Sequence, residues 1–432
     1  MSPTFRALQV RNYRLYAAGG VVSNTGTWMQ RVAQDWLVLQ LHHGSPVQAG
    51  TALGITTGLQ FLPILLFSAY AGVVADRIPK RRLLQLTQAF MGVSAAVLGV
   101  LAITGVVQAW MVFALAFVFG VGTAFDAPAR QAFVSEMVGP DHLSNAVGLN
   151  SASFNLARIV GPALSGVLIG ALGSGVFATG AVILLNAVSY LAVIWALQRM
   201  RVAELAPFRP TARRRGMLRD GLRYVRSRND IMLILAVVFF AGTFGMNFQM
   251  TSALMATQVF HKGAGEYGLL GTVMAIGSLS GALIGARRKK RPRLSLVVGA
   301  ALAFGAIEIV AGLMPSYLTF ALSTPFIGFS TLIMINAANT NVQLGSQPAM
   351  RGRVMALYLM IFQGGTPLGA PVVGWVGGTF GARWTLIGGG ALTLLGVVVA
   401  VVLFMGAEHL TFPFGRRVGP SAQETADEVM AA

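Results

Sequence analysis

Cysteine is absent from the 432 residues, which excludes disulfides and thiolate metal centres and leaves the compartment open. Charge is nearly as scarce. Charged residues make up 11% of the chain, against about 25% in soluble domains. Acidic residues are the rarer kind, 14 Asp and Glu against 32 Lys and Arg. The five His residues form no HExxH pattern, and neither a GxxxxGK loop nor a GxSxG elbow occurs. Nothing points to soluble catalysis, and no metal or cofactor is expected.

What is present is apolar. Hydrophobic residues are 55% of the chain and mean hydropathy is +0.68, the profile of a membrane protein. A spanning helix needs about 20 predominantly apolar residues. Twelve such runs are expected, at 14–40, 47–74, 83–105, 109–130, 145–172, 175–198, 231–258, 267–286, 294–314, 317–342, 354–379 and 383–405. Period-two alternation is lacking, which argues against a barrel. The polar start, Met1 to Val10, has no cleavage site of a removable signal peptide.

The formal net charge of +18 would suggest nucleic acid in a soluble protein. Here the basic residues sit in short blocks between apolar runs, so orientation in a bilayer is the simpler cause and no nucleic-acid partner is expected. With a cytoplasmic amino terminus, only Lys262 and Arg383 fall on the far side, and Arg31 and Arg158 lie inside spans. The positive-inside rule thus puts both termini in the cytoplasm. The chain divides into a half of six spans at 1–198, a basic cytoplasmic linker at 199–229, a second half at 230–406 and a tail at 407–432. The linker carries Pro207, Pro210 and Arg213 to Arg215, then Met217, Leu218, Leu222 and Val225 at helical spacing. A basic amphipathic helix on the anionic inner leaflet is expected there.

The halves repeat weakly. At one offset Pro140 meets Pro348, Gly161 meets Gly369 and Gly166 meets Gly374; at another, His43 meets His261 and Gly50 meets Gly268. Between the second and third spans lies Gly72-Val73-Val74-Ala75-Asp76-Arg77-Ile78-Pro79-Lys80-Arg81-Arg82. The equivalent turn of the second half, Arg287 to Arg293, keeps the charges and lacks the Asp. Asp76 can accept bonds from Arg77 or Arg130, or sit against the start of the eleventh span near Arg353. Such contacts would latch the two halves; alternatively, the basic residues only enforce topology.

The first span carries Asn24, Thr27, Trp28, Arg31 and Asp35 on one face. Charges inside spans cost roughly 2.5–3.5 kcal/mol each on insertion scales, so they face a cavity or a partner. Arg31 and Asp35 are spaced to pair with each other. Arg158 in the fifth span can reach Asp35, bind an anionic substrate or snorkel towards the cytoplasm. Glu308 in the ninth span is expected to snorkel outwards, a proton-carrying role being the alternative. Thr243 and Asn247 in the seventh span, Asn336 and Thr340 in the tenth, and Gln363 in the eleventh offer neutral polar groups for a wet cavity. Ordinary helix packing with polar glue is the alternative.

Twelve spans in two repeated halves, with Gly72-xxx-Asp76-Arg77 and Arg81 in the second-to-third connection, resemble the major facilitator superfamily. Pro79 replaces that motif's second glycine. The helix-five pattern Gly161-Pro162 with Gly166, Ala157 and Ser165 replacing family glycines, is similar to that of exporters that exchange substrate for protons. Pro128 to Ala132, Asn145-Ala146 and Met350 to Val354 resemble the enterobactin and macrolide exporter branch. The family's fourth-span motif usually carries an Arg where this chain has Ala116. The resemblance implies an all-α transporter fold, multi-pass in the plasma membrane, exporting amphipathic small molecules such as drugs or siderophores by alternating access. It implies protons as coupling ion; on the residues themselves Asp35 is the expected coupling carboxylate and Asp76 the expected latch, in a monomer. A lipid or lysolipid flippase and a non-transporting sensor are the alternatives.

Overall fold

The computed structural model describes residues 3–206, 217–286, 292–347 and 350–405. The basic turn at Arg287 to Arg291, the linker segment with Pro207, Pro210 and Arg213 to Arg215, Pro348, and the tail with Arg416 and Arg417 lie outside them. The described chain is helical throughout. In order come α1 (Arg11–Leu41), α2 (Pro46–Ala75), α3 (Lys80–Ile103), α4 (Ala109–Met137), α5 (Pro140–Ala171) and α6 (Val176–Gln198). The linker contributes α7 (Met217–Arg226). The rest is α8 (Asn229–Phe240), α9 (Phe248–Leu254), α10 (Ala264–Ala286), α11 (Leu294–Gly312), α12 (Tyr317–Gly345), α13 (Arg351–Phe380) and α14 (Arg383–Met405).

The boundaries follow local chemistry. Pro occupies the first turn of α2 and α5, where its missing N–H costs nothing. Ser316 and Thr319 form a capping box at α12, satisfying two donors that would otherwise be orphaned. Gly381 ends α13 at φ +101°, a conformation that favours glycine. The outer surface is apolar, with Leu66, Val93, Trp195 and Leu403 exposed. That pattern suits lipid and would be a liability in water.

Eleven helical stretches among the described residues are long and apolar enough to cross a membrane. The expected first span is missing from that set. Its helix, α1, is 31 residues long, about 46 Å at 1.5 Å per residue, so length is not the obstacle. The polar face that carries Asn24, Arg31 and Asp35 lowers its hydropathy.

The expected seventh span is not one continuous α-helix. α8 and α9 are separated by a π-helical turn, Ala241–Gly245, and a second one, Met255–Val259, follows α9. Gly242 and Gly245 remove side chains at the break, and the Asn247 side-chain amide donates to Thr243 O at 2.9 Å. Such turns concentrate at functional sites.

The linker helix is also held by protein contacts. α7 packs on the start of α13. Val225 is 2% exposed, the Arg353 guanidinium donates to Asp220 at 3.3 Å, and Tyr224 Oη accepts from the Gln347 N–H at 3.2 Å. Leu222 of the same helix is exposed.

Two helix pairs form the main contacts between α1–α6 and α8–α14: α2 with α13, and α5 with α10. Both rest on glycine. A Cβ on Gly50 would stand 2.6 Å from Gly374 O, and one on Gly166 would stand 2.7 Å from Ala264 O and 3.1 Å from Gly265 Cα. Gly268 packs on Pro162 and Gly166 in turn. The two offsets of the sequence repeat therefore meet in space, since Gly50 touches Gly374 and Gly268 touches Gly166. These contacts lie at the ends of α2 and α5 remote from Asp76 and from the basic turns.

Candidate functional site

Between the two sets of helices lies a cavity of about 460 Å³. α1 contributes the polar face read from the sequence, with Asn24, Thr27, Trp28, Arg31 and Asp35 all in its wall. About three helical turns therefore point one way, as i, i+3 and i+4 spacing requires. α5 adds Phe154, Arg158 and Pro162, and α2 adds Thr57, Gln60 and Phe61. From the other set come Met246, Asn247 and Gln249 around the helix break, Tyr267 and Met274 of α10, Thr331 of α12, and Phe362 and Gln363 of α13.

Of the seven neutral and aromatic cavity candidates, Asn24, Trp28, Asn247 and Gln363 line this space; Thr243, Asn336 and Thr340 do not. Thr243 is buried against Gly365 and Gly369, its hydroxyl without a hydrogen-bond partner. Asn336 packs beside Gly285 of α10. Neither fact follows from spacing, because polar residues four apart on a helix of a bundle can face a neighbour as readily as a pore.

Arg31 and Asp35 do not pair as the spacing suggested. The Tyr267 hydroxyl donates to Asp35 Oδ2 at 2.8 Å, a bond between α10 and α1, while the Arg31 guanidinium lies 4.8 Å from the Trp28 ring centre and 5.6 Å from that of Phe61. Stacking on two rings offsets part of the cost of burying a cation. Arg31 Nε, and Nε and Nη2 of Arg158, are buried with no hydrogen-bond partner. Arg158 therefore does not pair with Asp35.

At the end remote from the basic turns the cavity is sealed. Trp36 stacks on Tyr267 with centroids 6.5 Å apart, and its indole N–H donates to Ser174 O at 2.9 Å. Thr272 Oγ1 donates to Ile159 O at 2.8 Å, tying α10 to α5.

Glu308 does not snorkel. It is 1% exposed, and its Oε2 has no hydrogen-bond partner. A Cβ on Gly245 would stand 2.7 Å from that oxygen, so the carboxylate faces the π-helical break rather than the helix end. A glutamate in an apolar run has two ways to face, and the sequence does not distinguish them.

The loop-motif residues hold their own end of the molecule. Asp76 is the C-cap residue of α2, its backbone N–H donating to Gly72 O at 3.1 Å. Arg77 is exposed, and Arg81 Nε donates to Leu197 O at 2.6 Å. Lys80 pairs with Glu136. Arg130 pairs with Asp126 at 2.8 Å, and Arg353 is taken by α7. Lys80, Arg81, Arg130 and Arg353 are thus spread over separate contacts. Asp126 was missed by the sequence reading. It is 6% exposed and accepts from Thr87 and Gln88, each at 2.8 Å. Its spacing from Arg130 matches that of Arg31 and Asp35, so the same rule applied to the fourth span would have found it. In the helix-five motif, Gly161 abuts Trp28 and Thr25, Pro162 abuts Gly268, and Gly166 abuts Gly265.

This architecture is that of a membrane transporter with two sets of helices around a central cavity. A bacterial homologue of the human lysosomal transporter Spinster, solved in an inward-facing, occupied conformation, superposes with a TM-score of 0.67 at 15% identity, over 92% of this chain and 97% of that one. A D-xylose–proton symporter gives 0.69 at 12% identity, over 90% and 96%. A model described as transmembrane secretion effector matches residues 2–409. The chain belongs to that family, within the major facilitator superfamily. The multidrug efflux pump Tap of Mycolicibacterium fortuitum is 28% identical over 90% of this chain and 94% of that one. The enterobactin exporter EntS of Citrobacter koseri is 24% identical over 85% of each. A staphyloferrin A transporter of Staphylococcus aureus is 30% identical, over a third of this chain and 35% of its own length.

Proposed function

We propose that this transporter exports amphipathic small molecules, drug-like compounds or siderophores, by alternating access, driven by protons across the plasma membrane. The observation that carries this reading is the central cavity, walled by both sets of helices and sealed at one end by glycine contacts, the Trp36–Tyr267 stack and the Tyr267–Asp35 bond, which a rocking motion can part. In this reading α1 is the twelfth span, tolerated in the bilayer because its charges face the cavity. Both termini are cytoplasmic, and residues 1–198 and 230–406 move as halves. The protein works as a monomer without nucleic acid. The sealed end is then the outer one, and the structure is open to the cytoplasm. Asp35 is the coupling carboxylate: its bond to Tyr267 crosses between the halves at the sealed end, so a proton and the closing hydroxyl compete for the same oxygen. Asp76, with Arg77 and Arg130, latches the cytoplasmic side in the opposite state, where α13 and Arg353 approach α2.

Proteoliposomes with an imposed pH gradient and a panel of lipophilic compounds test the reading. Gradient-dependent movement of at least one compound, lost in Asp35→Asn with folding intact, is the expected outcome. Unchanged pH dependence in that variant removes Asp35 from the coupling, and binding without flux favours a sensor. One observation favours the flippase alternative: an apolar groove of about 590 Å³, lined by Val21, Leu149, Leu156 and Leu279 with Arg14 at its margin. Lysolipid translocation in the same vesicles would select it.

A further inference from the structure

The cavity wall carries three charged side chains, Arg31, Arg158 and Asp35. Their balance is +1, and the acid is already engaged by Tyr267. Two guanidinium groups thus share a largely apolar space with a single occupied carboxylate. Buried guanidinium N–H groups without partners are costly, because each gives up water without gaining an acceptor. Arg31 meets part of that cost against Trp28 and Phe61. Arg158 makes neither an ion pair nor a cation–π contact among the described residues, and two of its three nitrogens are buried and unpartnered.

The position of Arg158 is also telling. Gly161 packs on Trp28 and Thr25, so Arg158, one turn earlier, stands beside the polar face of α1 on the side nearer the basic end. Phe154, one turn earlier again, meets the Trp28 ring edge-on at 5.9 Å. A cation flanked by aromatic surface, with its planar fork unfilled, matches an oxyanion attached to an apolar body.

We propose that the cavity selects amphipathic organic anions. An oxyanion pairs with the Arg158 guanidinium where it lines the cavity, and the apolar body lies against Phe154, Trp28 and Phe61. This rests on the cavity being the transport pathway and narrows its substrate class. Arg31, deeper and held by two rings, keeps the potential positive beyond the first contact, so the anion is drawn towards the sealed end. A cationic amphiphile meets two like charges in the same space and is disfavoured.

The test uses three probes of one shape: 4-(1-pyrenyl)butyrate, its neutral amide and a 4-(1-pyrenyl)butyltrimethylammonium salt. Binding to the purified full-length protein is read as quenching of tryptophan emission, since Trp28 lines the cavity, and flux is read in proteoliposomes. The wild type is expected to bind the carboxylate at least tenfold more tightly than the amide and to bind the quaternary amine more weakly still. Arg158→Gln is expected to cut the carboxylate-to-amide ratio about tenfold, and Arg158→Lys to restore part of it. If Arg158→Gln fails to fold, Arg31→Gln must also reduce the ratio. Equal binding of carboxylate and amide, or a ratio unmoved by these variants, overturns the proposal. Movement of the neutral or cationic probe in preference to the anion overturns it too while leaving the transport reading intact. If none of the probes binds or moves, the proposal falls, while the transport reading stands or falls on the wider compound panel.

Discussion

Closure of the sealed end can be made to fail by a single methyl group. In Gly374→Ala the new Cβ would press on Gly50 O and lie 2.8 Å from Gly54 Cα. Ordinary carbon contacts sit near 3.5–4.0 Å, so the two backbones must part by roughly 1 Å. Both neighbours are main-chain atoms and no rotamer change relieves the clash. Overpacking of this kind costs about 1–3 kcal/mol, a factor of roughly 5–150 in the ratio of the two states at about 1.4 kcal/mol per tenfold. The lack of native cysteine makes the assay direct. His43→Cys and Ser316→Cys place labels at exposed positions of the two sets of helices, and pulsed electron–electron resonance reads their separation. Gly374→Ala should add or enlarge a longer-distance population. Gly170→Ala, whose Cβ meets nothing within 4 Å, should leave it alone. An unchanged distribution in Gly374→Ala would show that glycine contact does not set this equilibrium.

Other substitutions probe other parts of the account. Tyr267→Phe removes a hydrogen bond to a carboxylate, about 1.5–3 kcal/mol in favour of the opened end, and should lengthen the same label distance. Asp126→Asn leaves Arg130 without its partner and should cost about 3–5 kcal/mol by thermal unfolding in detergent. Pairing it with Arg130→Gln should recover part of that loss, and strict additivity would contradict the pairing. Glu308→Gln removes an unpartnered buried carboxylate and should leave stability unchanged or raise it by about 1 kcal/mol. A marked fall would mean that the carboxylate is satisfied in a way the structure does not contain.

Fold and site were legible to different depths. Hydropathy and basic turns located eleven of the spans and the amphipathic linker, because both signals are sums over many residues. The same sum hides α1, where the functional face is polar enough to lower the average. The face of α1 itself was readable, since periodicity fixes which residues of one helix share a side. What each residue meets across the interface was not. Arg31 stacks on Trp28 and Phe61 rather than pairing with Asp35, whose partner, Tyr267, lies 232 residues away. Nothing local in Thr243, Asn336 or Glu308 tells which neighbour the side chain faces, and the π-helical break that orients two of them has no strong sequence mark beyond Gly242, Gly245 and Asn247. The glycine repeat was visible as a pattern, but its meaning required the contacts between Gly50 and Gly374 and between Gly268 and Gly166.

The central claim is that the cavity around Asp35 and Arg158 is a gated pathway coupled to protons. Flux in proteoliposomes, measured with and without an imposed pH gradient for the wild type and Asp35→Asn, tests it most directly. The account predicts gradient-driven transport in the wild type and loss of the gradient dependence in the variant. Equal gradient-driven flux in both would contradict it.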